Sequence, residues 1–444
     1  MAKSLFLCCA TVVLLAGASA AQSVPTAAQA NTPGTATPVI ALDDAIQRAK
    51  RNSVQFLAAI MDAKIAHEDS VQARAAVLPS IAYNNSYLYT QGNGTAIPRF
   101  IANNAVHEYV SQGDAHEALI AGPGAFADIK RARATEAFAK AKVEVAARGL
   151  VLTVVQTYYG VLAAQQRLLD SQAADDEAQR FVNLSKKLEQ GGEVAHSDTI
   201  KAELQYNDSS RAAMEAQLVA DKAKLDLAVL LFPDFNQNFT VANDLNAQPP
   251  LPTMDETEAL AKKSNPDLRA ALEATNAAAA EVSVARGAYF PTLTLDWYYG
   301  IDAAHIATYE PNGLPNLGYS ALATLNIPIW NWFSTQSKVK QAQYRQQQAK
   351  AELSATQREL IANLHNFYSE AELSLRELEL LKRSADLAEE SLRLTNLRYQ
   401  AGEATALEVV DAENALVTSR SLLADGAARY RTALANLQTL TGTL

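Results

Sequence analysis

The sequence predicts a mainly α protein with a small β part, built as a duplicated helix-strand-strand-long helix-helix plan. Three observations carry this. Two long tracts, about 128–190 and 333–400, contain no proline and are dominated by Ala, Leu, Gln, Glu, Arg and Lys, a composition that favours long helices. Two stretches, "SIAYNNSYLYT" (80–90) and "TLTLDWYYG" (292–300), alternate with the period of two expected of half-buried strands. A turn, "EQGGEVAHSDTIKAE" (189–203), returns as "YQAGEATALEVVDAE" (399–413), so both halves carry the same helical hairpin tip.

The elements follow in order. Residues 1–20 read as a signal peptide: Lys3, an apolar run from Leu5 to Ala16, and Ala18-Ser19-Ala20 before the cleavage point. The run is short of the ~20 residues that span a bilayer. Both cysteines, Cys8 and Cys9, lie inside it, so the exported chain has no disulfide, no thiolate metal site and no cysteine for a lipid. Residues 21–40, rich in Ala, Thr, Pro and Gln, read as a flexible leader. The first repeat, 41–231, begins with a helix at about 41–77 that ends before Pro79. In the strand at 80–90, Ile81, Tyr83, Tyr87 and Tyr89 share one face, and Ala82, Asn84, Ser86 and Thr90 the other. "QGNG" (91–94) is turn chemistry, and a second strand falls within 107–121. The long helix from about Asp128 to Gln190 is interrupted at Gly191-Gly192, and another runs from about Ala195 to Leu231.

An irregular linker at 232–253 precedes the second repeat, 254–444. Here a helix at 254–288 steps at Asn265-Pro266. A strand at 292–300 puts Leu293, Leu295, Trp297 and Tyr299 on one face. A loop leads to a return strand at 319–330; a long helix covers 333–400, Ala401-Gly402 turns, and a last helix runs from 404 to 441. The β part of each half is thus about 80–121 and 292–330.

Lengths restrict what this plan can build. A helix of such length spans ~95–100 Å at 1.5 Å per residue, and two helices of about 37 residues end to end span ~110 Å. Two short helices stacked end to end therefore flank each long one. The long helix at 333–400 carries two apolar stripes. Leu373, Leu380, Leu387 and Leu394 recur every seven residues, while Leu378, Leu381, Ala385, Ala388, Leu392 and Tyr399 form a second stripe. Two stripes imply a neighbour on each side, as in a wall of helices.

The strands add a membrane. Four short strands cannot close a barrel, because the smallest membrane barrels have about eight, and an open sheet leaves edges. Three copies pooling four strands each make a closed twelve-stranded barrel. Trp297, Trp330 and Trp332, with Tyr299, Tyr319 and neighbouring aromatics, supply an interfacial belt. An alternative, a periplasmic coiled-coil structural or adaptor protein without a barrel, accounts for the helices but not for these strand pairs.

Other classes are poorly supported. A net charge of −10 argues against nucleic acid as a partner. "GPGAFA" (122–127) mimics a dinucleotide loop but contains Pro123 and lacks a βαβ setting. The six histidines are scattered, and no nucleophile–base arrangement stands out, so no catalytic residue, metal site or cofactor is expected.

From Tyr399 onward, Gly402, Glu408, Val409, Val410, Asp411 and Ala412 resemble the tip motif of the outer-membrane efflux proteins, the TolC-like channels, with Glu in place of the first acid and Val410 in place of Leu. The prolines after each first helix and the terminal "LTGTL" (440–444) are similar too, and the resemblance spans about 41–444. It implies a homotrimer whose barrel contacts outer-membrane lipid and whose helical tunnel crosses the periplasm. It also implies a periplasmic adaptor (membrane fusion) protein and an inner-membrane pump of RND or ABC type as partners, and a duct with no catalytic activity. The tip turns, with Gly191, Gly192, Tyr399 and Gly402, are implied to dock the adaptor. Glu408 and Asp411 are implied to line the closed periplasmic entrance, as two rings of three carboxylates that favour cations. The first repeat has Asp198 and Lys201 at these positions, and position 404 is Ala where some relatives carry a tethering base.

Overall fold

The two halves repeat element by element. The computed structural model describes residues 38–89, 107–120, 122–234 and 238–443, and its elements lie in the unit Val39–Leu444. The first half runs β1 (Val39–Ile40), α1 (Leu42–Asn52), α2 (Val54–Ala75), β2 (Ser80–Tyr89), β3 (His107–Ile120), α3 (Gly122–Gln190) and α4 (His196–Leu231). The second runs β4 (Thr240–Val241), α5 (Met254–Ser264), α6 (Pro266–Gly287), β5 (Thr292–Ala303), β6 (Leu317–Asn326), α7 (Ser334–Gln400) and α8 (Ala406–Thr441). Helices α1, α2 and α4 have 11, 22 and 36 residues, and α5, α6 and α8 have the same three lengths. The long helices have 69 and 67. Residues 1–20, most of the leader and the turn at 91–94 lie outside the described residues, as does Thr90.

Several expected boundaries move, each for a local reason. The single helix expected at 41–77 is two, because the Ser53 hydroxyl accepts from the Phe56 N–H and starts a new helix. The expected helix at 254–288 divides where its step was read: Asn265 caps α6, and Pro266 occupies its first turn. α3 begins at Gly122 rather than Asp128, since Pro123 is tolerated in a first helical turn. The end of the leader and the linker are not wholly irregular. Val39–Ile40 pairs in parallel with Thr240–Val241, and Ile40, Phe239 and Val241 are buried. Two-residue strands are too short to show a period. The return strand ends at Asn326, not 330, because Pro328 has no N–H for the ladder.

The long helices are the spine. α3 packs along α2 and α6 toward the strands and along α4 and α8 toward the hairpin turns; α7 packs on α6 and α8. On α7, Leu364, Ala371, Leu378, Ala385, Leu392 and Tyr399, one every seven residues, are all buried. The other stripe, Leu373, Leu380, Leu387 and Leu394, remains 47–67 % exposed. On α8 the seam steps by three and four through Ala406, Val409, Glu413, Leu416, Arg420, Leu423, Ala427, Tyr430, Leu434, Leu437 and Thr441, the spacing of a coiled-coil seam.

A middle layer joins the halves. Tyr158 donates to the carbonyl of Ala242 at 2.8 Å, next to the β1–β4 pair, and burial pushes its phenol well above the usual range. Arg431 of α8 donates to the Tyr159 hydroxyl and, at 2.7 Å, to Asp244. Arg148 of α3 donates to the carbonyls of Ser264 and Thr439, capping the ends of α5 and α8 together.

Where α3 and α6 meet the strands, backbone packs on backbone. A Cβ at Gly287 would lie 2.4 Å from the Gly124 Cα, whereas one at Gly124 would lie 3.4 Å from the Gly287 Cα. Gly287→Ala is therefore expected to destabilise by roughly 1–3 kcal/mol through overpacking. Gly124→Ala should cost clearly less. Thermal unfolding of the two variants in detergent, followed by circular dichroism, checks the order.

Candidate functional site

The four longer strands form one antiparallel sheet in the order β2-β3-β5-β6. Directly opposed residues share a face. One face carries Ile81, Tyr83, Tyr87, Tyr109, Leu293, Leu295, Trp297, Tyr299, Tyr319 and Leu325. Large residues on it sit beside small ones: Trp297 is opposite Ala115 and Ala321, and Tyr83 is opposite Gly113. The other face carries Asn84, Gln112, Asp114, His116, Asp296, Asp302, Ser320 and Thr324, with His116 hydrogen-bonded to Asp296. One side is thus suited to hydrocarbon and the other to water. The outer strands β2 and β6 are exposed along their length, so the sheet has two open edges.

Its aromatics fall at two levels. Tyr87, Tyr109, Tyr299 and Tyr319 lie toward the far ends of the strands, where Tyr299 and Tyr319 oppose each other. Tyr289, Phe290, Trp330, Trp332 and Phe333 lie at the junction with the helices, all exposed. Trp330 and Trp332 are therefore beyond the strand, not in it; Trp330 makes edge contacts with Trp332 at 5.8 Å and Phe333 at 5.1 Å. From Phe290 to Tyr299 a strand advances roughly 30 Å at ~3.3 Å per residue. A tilt of about 40° projects this to ~23 Å, close to the ~25 Å apolar band of a membrane barrel.

At the opposite end, the two hairpin turns have the same backbone. Gly192 N–H bonds to the Glu189 carbonyl and Glu193 N–H to Leu188; Gly402 N–H bonds to Tyr399 and Glu403 N–H to Arg398. Both are Schellman closures, and both Gly192 and Gly402 have φ of 75°, where glycine carries no Cβ penalty. Gly191 precedes its turn in the last-turn hydrogen bond to Lys187. The tips pack side by side through Phe181, Val182, Ala202, Tyr399, Ala406 and Val409. Tyr399 is sealed in this cluster, edge-on to Phe181 at 5.1 Å, its hydroxyl 3.1 Å from Ser185 Oγ. Burial raises its phenol.

The two expected entrance acids differ. Glu408 closes a capping box: its N–H donates to the Thr405 hydroxyl at 3.3 Å and its carboxylate accepts from the Thr405 N–H at 3.1 Å. Arg398 also reaches it, at 3.3 Å, from the end of α7, and donates to the Glu403 carbonyl as well. The Thr405 backbone, then its hydroxyl, hold the Glu408 carboxyl below the usual range. Asp411, three residues on, is exposed and has no hydrogen-bond or ion-pair partner among the described residues. In the first repeat, Lys201 lies 3.4 Å from Asp198 and neutralises it.

A third acid was not singled out from sequence. Glu413 occupies a seam position of α8 and is 5 % exposed, with both carboxylate oxygens buried and Gln205 beside them. Burial, reinforced by nearby Glu177, pushes it up to about 7. The signal was present: an acid standing in the stripe Ala406, Val409, Glu413, Leu416.

The comparisons agree with this architecture. The profile of the family described as Outer membrane efflux protein matches residues 259–443. The proteases secretion protein PrtF of Dickeya chrysanthemi is 23 % identical over 93 % of this chain and 90 % of its own length. The outer membrane protein TolC of Escherichia coli is 22 % identical over 90 % and 81 %. Residues 259–443 thus carry the signature of the outer membrane efflux protein family. The crystal structure of the Campylobacter jejuni CmeC outer membrane channel shares the fold, with a TM-score of 0.78 at 16 % identity over 90 % of this chain and 85 % of that one. The fold is thus that of the TolC-like outer-membrane channels. The family is one of channels rather than enzymes.

The Glu413 proton couples stability to pH. The unfolded chain releases it near the ordinary glutamate value of ~4.3, but the fold retains it to about 7. The folded state therefore binds more protons between these values. The stabilisation is complete below the lower value and is lost as pH rises through the upper one. The loss is about 3–4 kcal/mol per chain by linkage. Glu413→Gln is expected to leave the melting temperature at pH 5 nearly unchanged and to flatten its decline toward pH 8. Parallel declines in wild type and variant would show that Glu413 is already solvated.

Proposed function

We propose that three copies of this chain form a passive trimeric duct that carries substrates from the periplasm, or from an inner-membrane pump, to the exterior. The observation that carries this reading is a double incompleteness of the single chain. β2 and β6 present open edges at the two ends of one amphipathic sheet. The helices also leave apolar stripes uncovered, Leu373, Leu380, Leu387 and Leu394 on α7, and Ile200, Leu204, Met214, Leu218, Leu225 and Val229 on α4. Neither edges nor stripes of this extent suit a solvated monomer. A neighbouring copy set edge to edge satisfies both, and three copies of four strands close a barrel of twelve. The aromatic levels, with Trp297, Tyr299, Tyr319, Trp330 and Trp332, then face outer-membrane lipid, and Asp114, Asp296 and Asp302 face the lumen.

In this reading the duct itself does no catalysis, and energy comes from its partners. A periplasmic adaptor docks on the tips around Gly191-Gly192 and Tyr399–Gly402, and an inner-membrane RND or ABC-type pump supplies cargo. The chain's overall similarity to a proteases secretion protein and to TolC is compatible with either pump class.

Native mass spectrometry of protein extracted by detergent from outer membranes is expected to show a trimer. Leu380→Glu combined with Leu387→Glu should reduce it to monomer by placing charges on the uncovered stripe. A monomer from the unaltered chain overturns the reading. The entrance makes a second prediction. Asp411 is unpaired while Glu408 is held by Thr405 and Arg398. In planar bilayers, Asp411→Asn should weaken cation selectivity and divalent block more than Glu408→Gln does. Equal effects, or none, remove Asp411 from the constriction.

A further inference from the structure

Helix α2 packs on α3 with one side, where Phe56, Ala63, Ala66, Ser70 and Ala73 are buried or half-buried. Its opposite side carries Val54, Ala58, Met61, Ile65, Glu68 and Gln72, all exposed. These step by four and three, the spacing of a second coiled-coil seam. A helix with two such seams sits between two neighbours, and the single chain supplies one. α7 has the matching deficit. Where it leaves the sheet it packs on α6 and buries Thr335 and Ala342, while Lys340, Tyr344, Ala351 and Ala355 stay exposed.

The topology brings these two surfaces together. α2 leads into edge strand β2, and edge strand β6 leads into α7. When β2 of one copy pairs with β6 of the next, α2 is laid beside the next copy's α7. The two run in opposite directions, one toward the sheet and one away from it. Their levels agree when measured from the ends nearest the sheet, Ala75 and Ser334. At 1.5 Å per residue, Ile65 and Tyr344 both lie ~15 Å away, and Ala58 and Ala351 both ~26 Å. Glu68 and Lys340 lie at ~9–11 Å. Glu68 is the acid in the exposed α2 stripe. Neither it nor Lys340 has an ion-pair or hydrogen-bond partner among the described residues.

We propose that α2 packs antiparallel on α7 of the neighbouring copy, and that Glu68 pairs there with the partner's Lys340 to fix the register of the tunnel wall below the barrel. This rests on the duct reading, since the strand edges must pair between copies. A polar pair within a largely apolar seam specifies register. A slip of one heptad sets Glu68 against Gln347 and leaves Lys340 without an acid, so each charge is taken out of water and loses its partner.

The test is oxidative cross-linking of the full chain in isolated outer membranes, read on a denaturing gel. Ala58→Cys together with Ala351→Cys should give covalent dimers and trimers, and neither single variant should. Ala58→Cys with Arg358→Cys uses the same face of α7 ~10 Å further along. It should cross-link at least about tenfold less, because a disulfide needs Cα atoms within ~7 Å. Glu68→Lys should abolish most of the trimer seen by native mass spectrometry, and adding Lys340→Glu should restore it. The cysteine pair leaves both charges in place and decides the register if the charge variants fail to fold. A trimer that does not cross-link through Ala58→Cys and Ala351→Cys, or that cross-links better through Arg358→Cys, overturns the packing and leaves the duct standing. A trimer untouched by Glu68→Lys, or not restored by the exchange, overturns the ion pair. A monomer from the unaltered chain overturns the duct reading and this packing with it.

Discussion

The rest of the fold depends on covering two helices of 69 and 67 residues along their whole length. At 1.5 Å per residue each is roughly 100 Å long, and a helix with an apolar stripe of that length must be packed from end to end. The chain does this with two shorter helices in series, one running from the middle to the sheet and one from the tip to the middle. The join between them is the critical point, because two helix ends meet there with unsatisfied backbone groups. Each half solves it with an asparagine. Asn52, at the α1–α2 junction, donates to the carbonyl of Leu231 at the end of α4; Asn265, at the α5–α6 junction, donates to that of Leu440 at the end of α8. The β1–β4 pair, Tyr158, Arg148 and Arg431 are grouped around the same level.

What the single chain leaves unsatisfied is ordered by chemistry. Strand edges lack hydrogen-bond partners, and the stripes on α4 and α7 lack apolar ones. Both deficits are of a kind that another copy of the chain can meet. The deficit at Glu413 is different. It is an electrostatic one inside a seam made mostly of Ala, Val, Leu and Tyr. A buried carboxyl in such a place is favoured with its proton on.

Much of this was legible in the residues, and the failures have physical causes. The sheet faces were readable because a period of two is short and Trp297, Tyr299, Leu293 and Leu295 are unambiguous. The α7 stripes were readable because leucine recurs at seven. The break at Ser53 was missed because a serine cap inside a helical composition looks like an ordinary polar residue, whereas Asn265-Pro266 announces itself. The pairing of Ile40 with Val241 could not be read, since two residues carry no period and their partners lie far apart in the chain. At the tip, the repeat of glycine was visible but the different roles of Glu408 and Asp411 were not. Spacing places both on one helix face, yet only the folded turn shows that Thr405 and Arg398 already occupy the first.

That difference also explains why the two tips, alike in backbone, are unlike in chemistry. The first has Ala195 at the helix start with no side-chain cap, and Lys201 cancels Asp198. Its turn is held by the Schellman closure, by packing, and by Glu189 at the end of α3, which meets His196 at the start of α4 at 2.8 Å. The second adds the capping box and Arg398, which ties the end of α7 to the start of α8 across the turn. With Glu408 committed to holding the turn, the carboxylate left to face solvent is Asp411, one turn further along α8. A rigid turn fixes where the Asp411 charge sits, and at a constriction the position of a charge governs selectivity more than the number of acids in the sequence.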